Sequence, residues 1–268
     1  MRQVEQDGKT EEIKFVIQSP GRKRIMFMQN SVKDFIRRLR VAVFRIRMKN
    51  VSNLEISDRK KVLVVAPHPD DEVLGCGGLI NRLCKSGNAP HVVILTRGEG
   101  SHRGCCGVSA EELAKARHEL TLKAAEVLGL PEEHIHCLDY EDGGVPEYEK
   151  GGKLEDIIGR LDPEVVMVPH WGEGWTDHVN AAKLVKSLVS SNVDVYEYCV
   201  WMWYYNVWNL DWRNAYRLKM TKDEHNVKKL AAQVYVNPQA PCGKPWSGVL
   251  PELFLKATTK DIELYFKV

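Results

Sequence analysis

The feature that most constrains this 268-residue chain is a repeated succession, from Arg59 onward, of short unbroken apolar runs and segments of 3.6-residue period. Residues 61–67 (KVLVVAP), 91–96 (HVVILT), 134–139 (HIHCLD) and 164–169 (EVVMVP) read as strands. Their Val and Ile side chains run without polar interruption, the pattern of strands covered on both faces of a parallel sheet. Helices are expected between them at 72–86, 110–129, 153–161 and 178–191. The second is marked by a Ser109/Glu112 capping box and by Gly129 after its last apolar turn. The fold class that follows is α/β, a Rossmann-like three-layer sandwich with a mostly parallel sheet. Such sheets bind ligands beyond the carboxyl ends of their strands, so the chemistry belongs there. Residues 97–108 hold four glycines and no periodicity, and form a loop at one such end. After residue 195 the pattern weakens: 196–212 is aromatic-rich, strand then loop, and 222–236 is helical.

Charge divides the chain in two. Residues 22–50 carry ten bases against the single acid Asp34, although the whole chain is only +2, so a basic arm (1–58) precedes a mildly acidic body (59–268). On a helix over residues 31–48, Phe35, Ile36, Leu39, Val43 and Ile46 fall on one stripe. That stripe either contacts a membrane surface peripherally or packs on the body. No recognition motif accompanies the charge, so nucleic acid is not an expected partner. A 44% hydrophobic, 28% charged composition excludes collagen-like and wholly disordered classes. No apolar run reaches the roughly 18 residues of a membrane span, and the polar start over residues 1–12 lacks a secretory signal, so a cytoplasmic protein is expected. The seven cysteines, without a C-x-x-C pair, read as reduced thiols.

The first strand runs into His68-Pro69-Asp70-Asp71-Glu72. Acids at a helix start cap it and complement its dipole, which is a sufficient structural account of the three carboxylates. It leaves His68 unexplained. Asp71, three positions on, can turn toward the same point, and an imidazole with a carboxylate is half of a hydrolytic zinc site. The fourth strand ends in His170-Trp171-Gly172-Glu173-Gly174-Trp175-Thr176-Asp177-His178. A lone histidine there would be structural, but the fold brings both clusters together. His68, Asp71 and His178 then supply three ligands and leave a position for water. The glycines at 75, 77 and 78 read as close packing of a helix on the sheet rather than a dinucleotide loop. The aromatic cluster from Trp201 to Trp212 is either core or a wall for a sugar ring.

The run from His68 to Glu72, followed by Val73-Leu74-Gly75-Cys76-Gly77-Gly78, resembles the signature of the PIG-L/LmbE-like N-acetylglucosaminyl deacetylases. Further matches follow in order: Thr96-Arg97-Gly98-Glu99 is similar to a T-x-G-E turn, Arg117 to Gly129 to an R-x-x-E…L-G helix, Asp142-Gly143 to a D-G element, and Asp177-His178 to the end of H-x-D-H. Lys229, Ala232 and Tyr235 loosely resemble a K-x-x-A-x-x-Y/H helix. The resemblance covers residues 61–190. It implies one zinc per chain on His68, Asp71 and His178, Asp70 as general base, Asp177 in the catalytic set, and Arg97, Glu99, Trp175 and His170 near the substrate.

It also implies attack by activated water on the N-acetyl group of an amino sugar, within a glycan or a lipid-linked precursor. The same site could instead cleave a thiol conjugate of an amino sugar, or bind zinc and sugar without turnover. Two departures bear on this. Trp175 stands where H-x-D-H begins, so the residue that protonates the leaving amine must be sought among His170, His102 and His225. Leu120 stands where R-x-x-E ends, with Glu119 one residue away.

Overall fold

The computed structural model describes residues 20–102, 107–204 and 210–268, with side chains from Val32 onward. Cys105, Cys106, Tyr205 and Trp208 lie outside these residues. The strand-forming runs become β2 (Val62–Ala66), β3 (His91–Thr96), β4 (Ile135–Tyr140) and β5 (Val165–Pro169), and β6 (Asp194–Tyr198) follows them. These five pair in parallel in the order β4-β3-β2-β5-β6. All five residues of β2 and of β5 are buried, as unbroken Val-rich runs require.

From β2 the chain steps outward through β3 to β4, then returns to the other side of β2 for β5 and β6. The strand order therefore reverses between β2 and β5, and the loops after these strands diverge over a crevice. Helices α2 (Asp71–Lys85), α3 (Ala110–Leu128) and α6 (Lys222–Val236) cover one face. Helices α4 (Lys153–Leu161) and α5 (Thr176–Leu188) cover the other. The expected capping box of α3 is present, Ser109 and Glu112 bonding reciprocally, and Gly129 ends the helix at φ 76°. The glycines of α2 do pack closely: a Cβ at Gly75 would stand 2.3 Å from the Tyr198 ring, and one at Gly78 2.3 Å from Met220.

The sheet extends further than the sequence pattern indicated. β8 (Ile262–Lys267) runs antiparallel between β6 and β7 (Ala215–Lys219), and the two-residue β1 (Ser52–Asn53) pairs with β7 at the edge. The basic arm thus contributes a strand to the sheet, and Leu54 joins the main core. Its helix, α1 (Pro20–Met48), packs on β7 and β8 through Val41, Phe44 and Met48. Arg40 is buried with them, its guanidinium donating to the Trp203 carbonyl at 2.7 Å. The stripe foreseen for α1 lies roughly half a turn from this packed face. Phe35, Leu39 and Ile46 are 67%, 51% and 63% exposed, and only Val43 of that stripe touches the core.

Candidate active site

The loops after β2 and β5 close on a cavity of about 500 Å³ at the switch point. His68 follows β2 in an x-Pro-His-Pro frame that fixes its backbone. Asp71 opens α2, and Asp177 and His178 occupy the first turn of α5. His68 Nδ1 lies 3.3 Å from Asp71 Oδ2, and His178 Nε2 lies 3.2 Å from the same oxygen. Two atoms each about 2.0–2.1 Å from a tetrahedral zinc stand roughly 3.3 Å apart, so this donor set fits one shared ion. A second observation agrees. His178 is wholly buried, and neither of its ring nitrogens makes a hydrogen bond, which suits a lone pair directed at a cation rather than at a proton.

His68 has a second carboxylate neighbourhood: its Nε2 lies 3.0 Å from Asp177 Oδ2 and 3.3 Å from Asp142 Oδ1. These two acids are already engaged with backbone. Asp177 accepts from Gly143 N and Val145 N, and Asp142 from Gly100 N. They therefore suit the outer role of receiving the Nε2–H and orienting the ring, leaving Nδ1 for the ion. On His178 the corresponding outer carboxylate is Glu173, 3.4 Å from Nδ1. Glu173 is buried and also accepts from the backbone N–H groups of Val200, Trp201 and Met202, tying the ligand to the loop after β6.

Asp70 sits between these groups with φ 114°, a left-handed conformation rare outside glycine. It precedes α2 but caps nothing with its side chain, which faces the cavity and the Arg117 guanidinium at 3.3 Å. Burial drives its pKa up; Arg117 pulls it back, and the Asp71 and Glu72 carboxylates add to the rise. Burial works in the same sense on Asp71, but His178 and His68 outweigh it and hold that carboxyl well below the ordinary range. Two adjacent acids are thus driven in opposite directions, the arrangement that separates a proton carrier from a ligand. Behind them Glu72, pushed up to about 7 chiefly by burial, accepts from Tyr235 OH at 2.6 Å and from Asp70 N at 3.0 Å.

Of the residues singled out in the sequence, the fold brings His68, Asp70, Asp71, Trp175, Asp177 and His178 to the cavity. It does not bring Arg97, Glu99 or His170. Arg97 pairs with Glu111 at 2.7 Å on the outer side of α3. Glu99 accepts from Asp142 N at 3.0 Å, acting on the site through that residue. His170 is buried beneath the loop, where it accepts from Gly172 N and burial lowers its pKa to about 3. The other two candidate proton donors do not line the cavity either. His102 is buried beside Ser101, and His225 donates to the Thr259 carbonyl.

Arg117, Asp142, Trp201 and the 247–250 turn with Phe254 also line the cavity. Arg117 and Asp142 stood in recognisable motifs, whereas nothing local marks the turn or Phe254. Gly98 makes room for Arg117: at φ 67°, a Cβ there would be 2.5 Å from the guanidinium.

The family model described as PIG-L, GlcNAc-PI de-N-acetylase, matches residues 63–189, the stretch that holds every ligand candidate. Trp201, the 247–250 turn and Phe254, which close the cavity, lie beyond the matched PIG-L segment. A diacetylchitobiose deacetylase of Thermococcus kodakarensis is 38% identical over 143 residues, 52% of each chain. A 1D-myo-inositol 2-acetamido-2-deoxy-alpha-D-glucopyranoside deacetylase of Corynebacterium diphtheriae is 31% identical over 159 residues, 50% of this chain and 54% of that one. The chain spans about half the length of these curated relatives. The solved structure of N,N'-diacetylchitobiose deacetylase from Pyrococcus horikoshii aligns with a TM-score of 0.54 at 22% identity, over 74% of this chain and 73% of that one, a likeness of fold.

Proposed function

We propose that this chain is a zinc-dependent hydrolase that removes the N-acetyl group of an N-acetylated amino sugar, with one zinc held by His68, Asp71 and His178. The observation that carries the reading is the convergence of two imidazole nitrogens on one Asp71 oxygen, beside the separate Asp70 carboxylate, in an open cavity. Both curated relatives described above are named as deacetylases of N-acetylated amino sugars, which supports the substrate class. Zinc bound there supplies Lewis acidity, lowering the pKa of water toward about 7 and polarising an amide carbonyl.

The remaining steps belong to the protein's own groups. Asp70, with its pKa raised, takes the proton from the attacking water, a role worth roughly 10²–10⁴ in rate. Arg117 holds that carboxylate in place, and Asp177 fixes the tautomer and tilt of His68. The same Asp70 returns the proton to the departing amine. Among the described residues lining the cavity the only imidazoles are His68 and His178, and Trp175 offers an indole N–H with no titratable proton. Trp175 and Trp201, edge to face at 5.7 Å, form an apolar wall against which a sugar ring can lie.

The setting is cytoplasmic, with peripheral contact to a membrane surface through the exposed stripe of α1. Among the described residues no helix is long and apolar enough to cross a membrane. The test is loss of an acetyl group, followed by mass spectrometry across free, nucleotide-linked and lipid-linked N-acetyl sugars, with metal content measured in parallel. The protein should carry about one zinc, lose it in His178→Ala, and deacetylate at least one class. A zinc-loaded protein that releases no acetate from any of them would instead be the silent sugar-binding protein that Trp175 favours.

A further inference from the structure

At the opposite end of the sheet from the cavity, histidines cluster where β3 and β4 begin. His91 opens β3, and His134 and His136 flank the first residue of β4. Positions two apart on a strand share a face, and the parallel register Val93↔His136 sets His91 against both rings. The His91 and His134 rings stack at 4.1 Å, and His91 Nδ1 lies 3.1 Å from His136 Nε2. His134 Nδ1 faces the Pro90 carbonyl at 3.2 Å. That contact fixes the proton on Nδ1 and leaves Nε2 as a lone pair. Burial and the two neighbouring imidazoles push His91 down to about 4, and burial with Arg160 and His134 also lowers His136. Both shifts favour the neutral ring, and none of the three histidines lines the catalytic cavity.

Neutral imidazoles crowded at this distance gain little from one another. A hydrogen bond satisfies one pair of nitrogens, and the half-exposed rings bury little surface. The 3.1 Å spacing is close to the roughly 3.3 Å between two nitrogens on one tetrahedral ion. We propose that His91 and His136, whose facing nitrogens form a two-imidazole pair beside the stacked His134 ring, make a second metal site for a first-row transition dication of the Zn²⁺, Ni²⁺ or Cu²⁺ type. The all-imidazole donor set selects such ions over Mg²⁺ and Ca²⁺ and ranks Cu²⁺ first. It holds no carboxylate, and the positive charge of Arg160 acts on it, so the ion exchanges readily and is not held permanently. When filled, the site clamps edge strand β4 to β3. It is independent of the catalytic reading.

Calorimetric titration of Ni²⁺ into the full chain, its catalytic site first loaded with a single equivalent of Zn²⁺, tests this. The wild-type protein should take up one further equivalent and the double variant His91→Gln/His136→Gln none, while His68→Ala keeps this equivalent and loses the catalytic one. A double variant that binds the same further equivalent as wild type, or a wild type that binds none, overturns the site. Should the double variant fail to fold, nitrogen-15 spectra of the wild type with Ni²⁺ decide. Broadening confined to His91, His134, His136 and their strand neighbours supports the proposal, and broadening elsewhere or nowhere refutes it.

Discussion

Asp70 combines a strained backbone, a raised pKa and a place between a metal-ligand candidate and an arginine. A left-handed non-glycine residue costs about 1–3 kcal/mol and persists only when its surroundings hold it. Here those are the flanking Pro69, the Glu72 carboxylate that accepts its N–H, and Arg117. Asparagine tolerates the left-handed region better than most residues, so Asp70→Asn tests the carboxylate without altering the backbone demand. It should keep its zinc and lose about 10²–10⁴ in kcat. Metal analysis beside turnover checks this: loss of zinc together with activity would make Asp70 a ligand. The residues legible in the sequence were those whose chemistry is local to a motif. His68, Asp71 and His178 stand at strand ends, and the fold had only to bring the ends together. His170 stands equally close to a strand end, but its ring turns beneath the loop toward Glu197, and no spacing rule reports that turn.

At the scale of elements, α2 carries the metal-ligand candidate and is fastened along its length from one side. Lys228 of α6, itself fully buried, donates to the Leu74 carbonyl at 2.9 Å and to Glu263 at 2.6 Å, and Glu263 accepts from Gly78 N and Leu79 N. Near the far end of α2, Arg82 donates to both oxygens of Glu224, which closes the capping box of α6 with Thr221. The Arg82 guanidinium, against a smaller opposing effect of burial, lowers the Glu224 pKa from 4.5 to about 2. A depressed carboxylate contributes stability above its unfolded pKa and loses it as pH falls through the folded one. Urea unfolding should therefore show wild type above Glu224→Gln by a full margin from about pH 5 upward, with the two converging between about pH 4.5 and pH 2. A margin unchanged at pH 2 would place the effect elsewhere. Four of the five parallel strands and the helices between them, with α6, were legible from apolar runs and 3.6-residue periods, and β2 and β5 most plainly because burial on both faces writes an apolar run. β7 (AYRLK) and β8 (IELYFK) mix apolar with charged positions, and the two residues of β1 carry no pattern, so their place in the sheet was not legible.

At the scale of the molecule, α1 presents two faces to two environments. Arg37, Arg40 and Phe44 meet the Trp203–Tyr204 segment just past the cavity wall. The opposite stripe of Val32, Phe35, Ile36, Leu39 and Ile46 is open, with Lys33, Arg38, Arg47 and Lys49 exposed on its flanks. Each base near an anionic surface contributes about 1 kcal/mol, screened by salt. The full chain should sediment with phosphatidylserine-containing vesicles at low salt and be released at high salt. Phe35→Gln/Leu39→Gln/Ile46→Gln, which disturbs no buried contact, should stay in the supernatant. A wild-type chain that also stays there at low salt removes the membrane contact.

The position of β8 has a consequence during synthesis. It is translated after every other described element, yet it lies inside the sheet between β6 and β7. A nascent chain that has emerged only as far as α6 has the parallel strands and the His68, Asp71 and His178 donors, but two unpaired strand edges and no Glu263 beneath α2. Unpaired edges invite association with other chains. Until β8 has emerged those edges stay open, and ribosome-bound intermediates stalled before residue 262 are where their association with other chains can be measured.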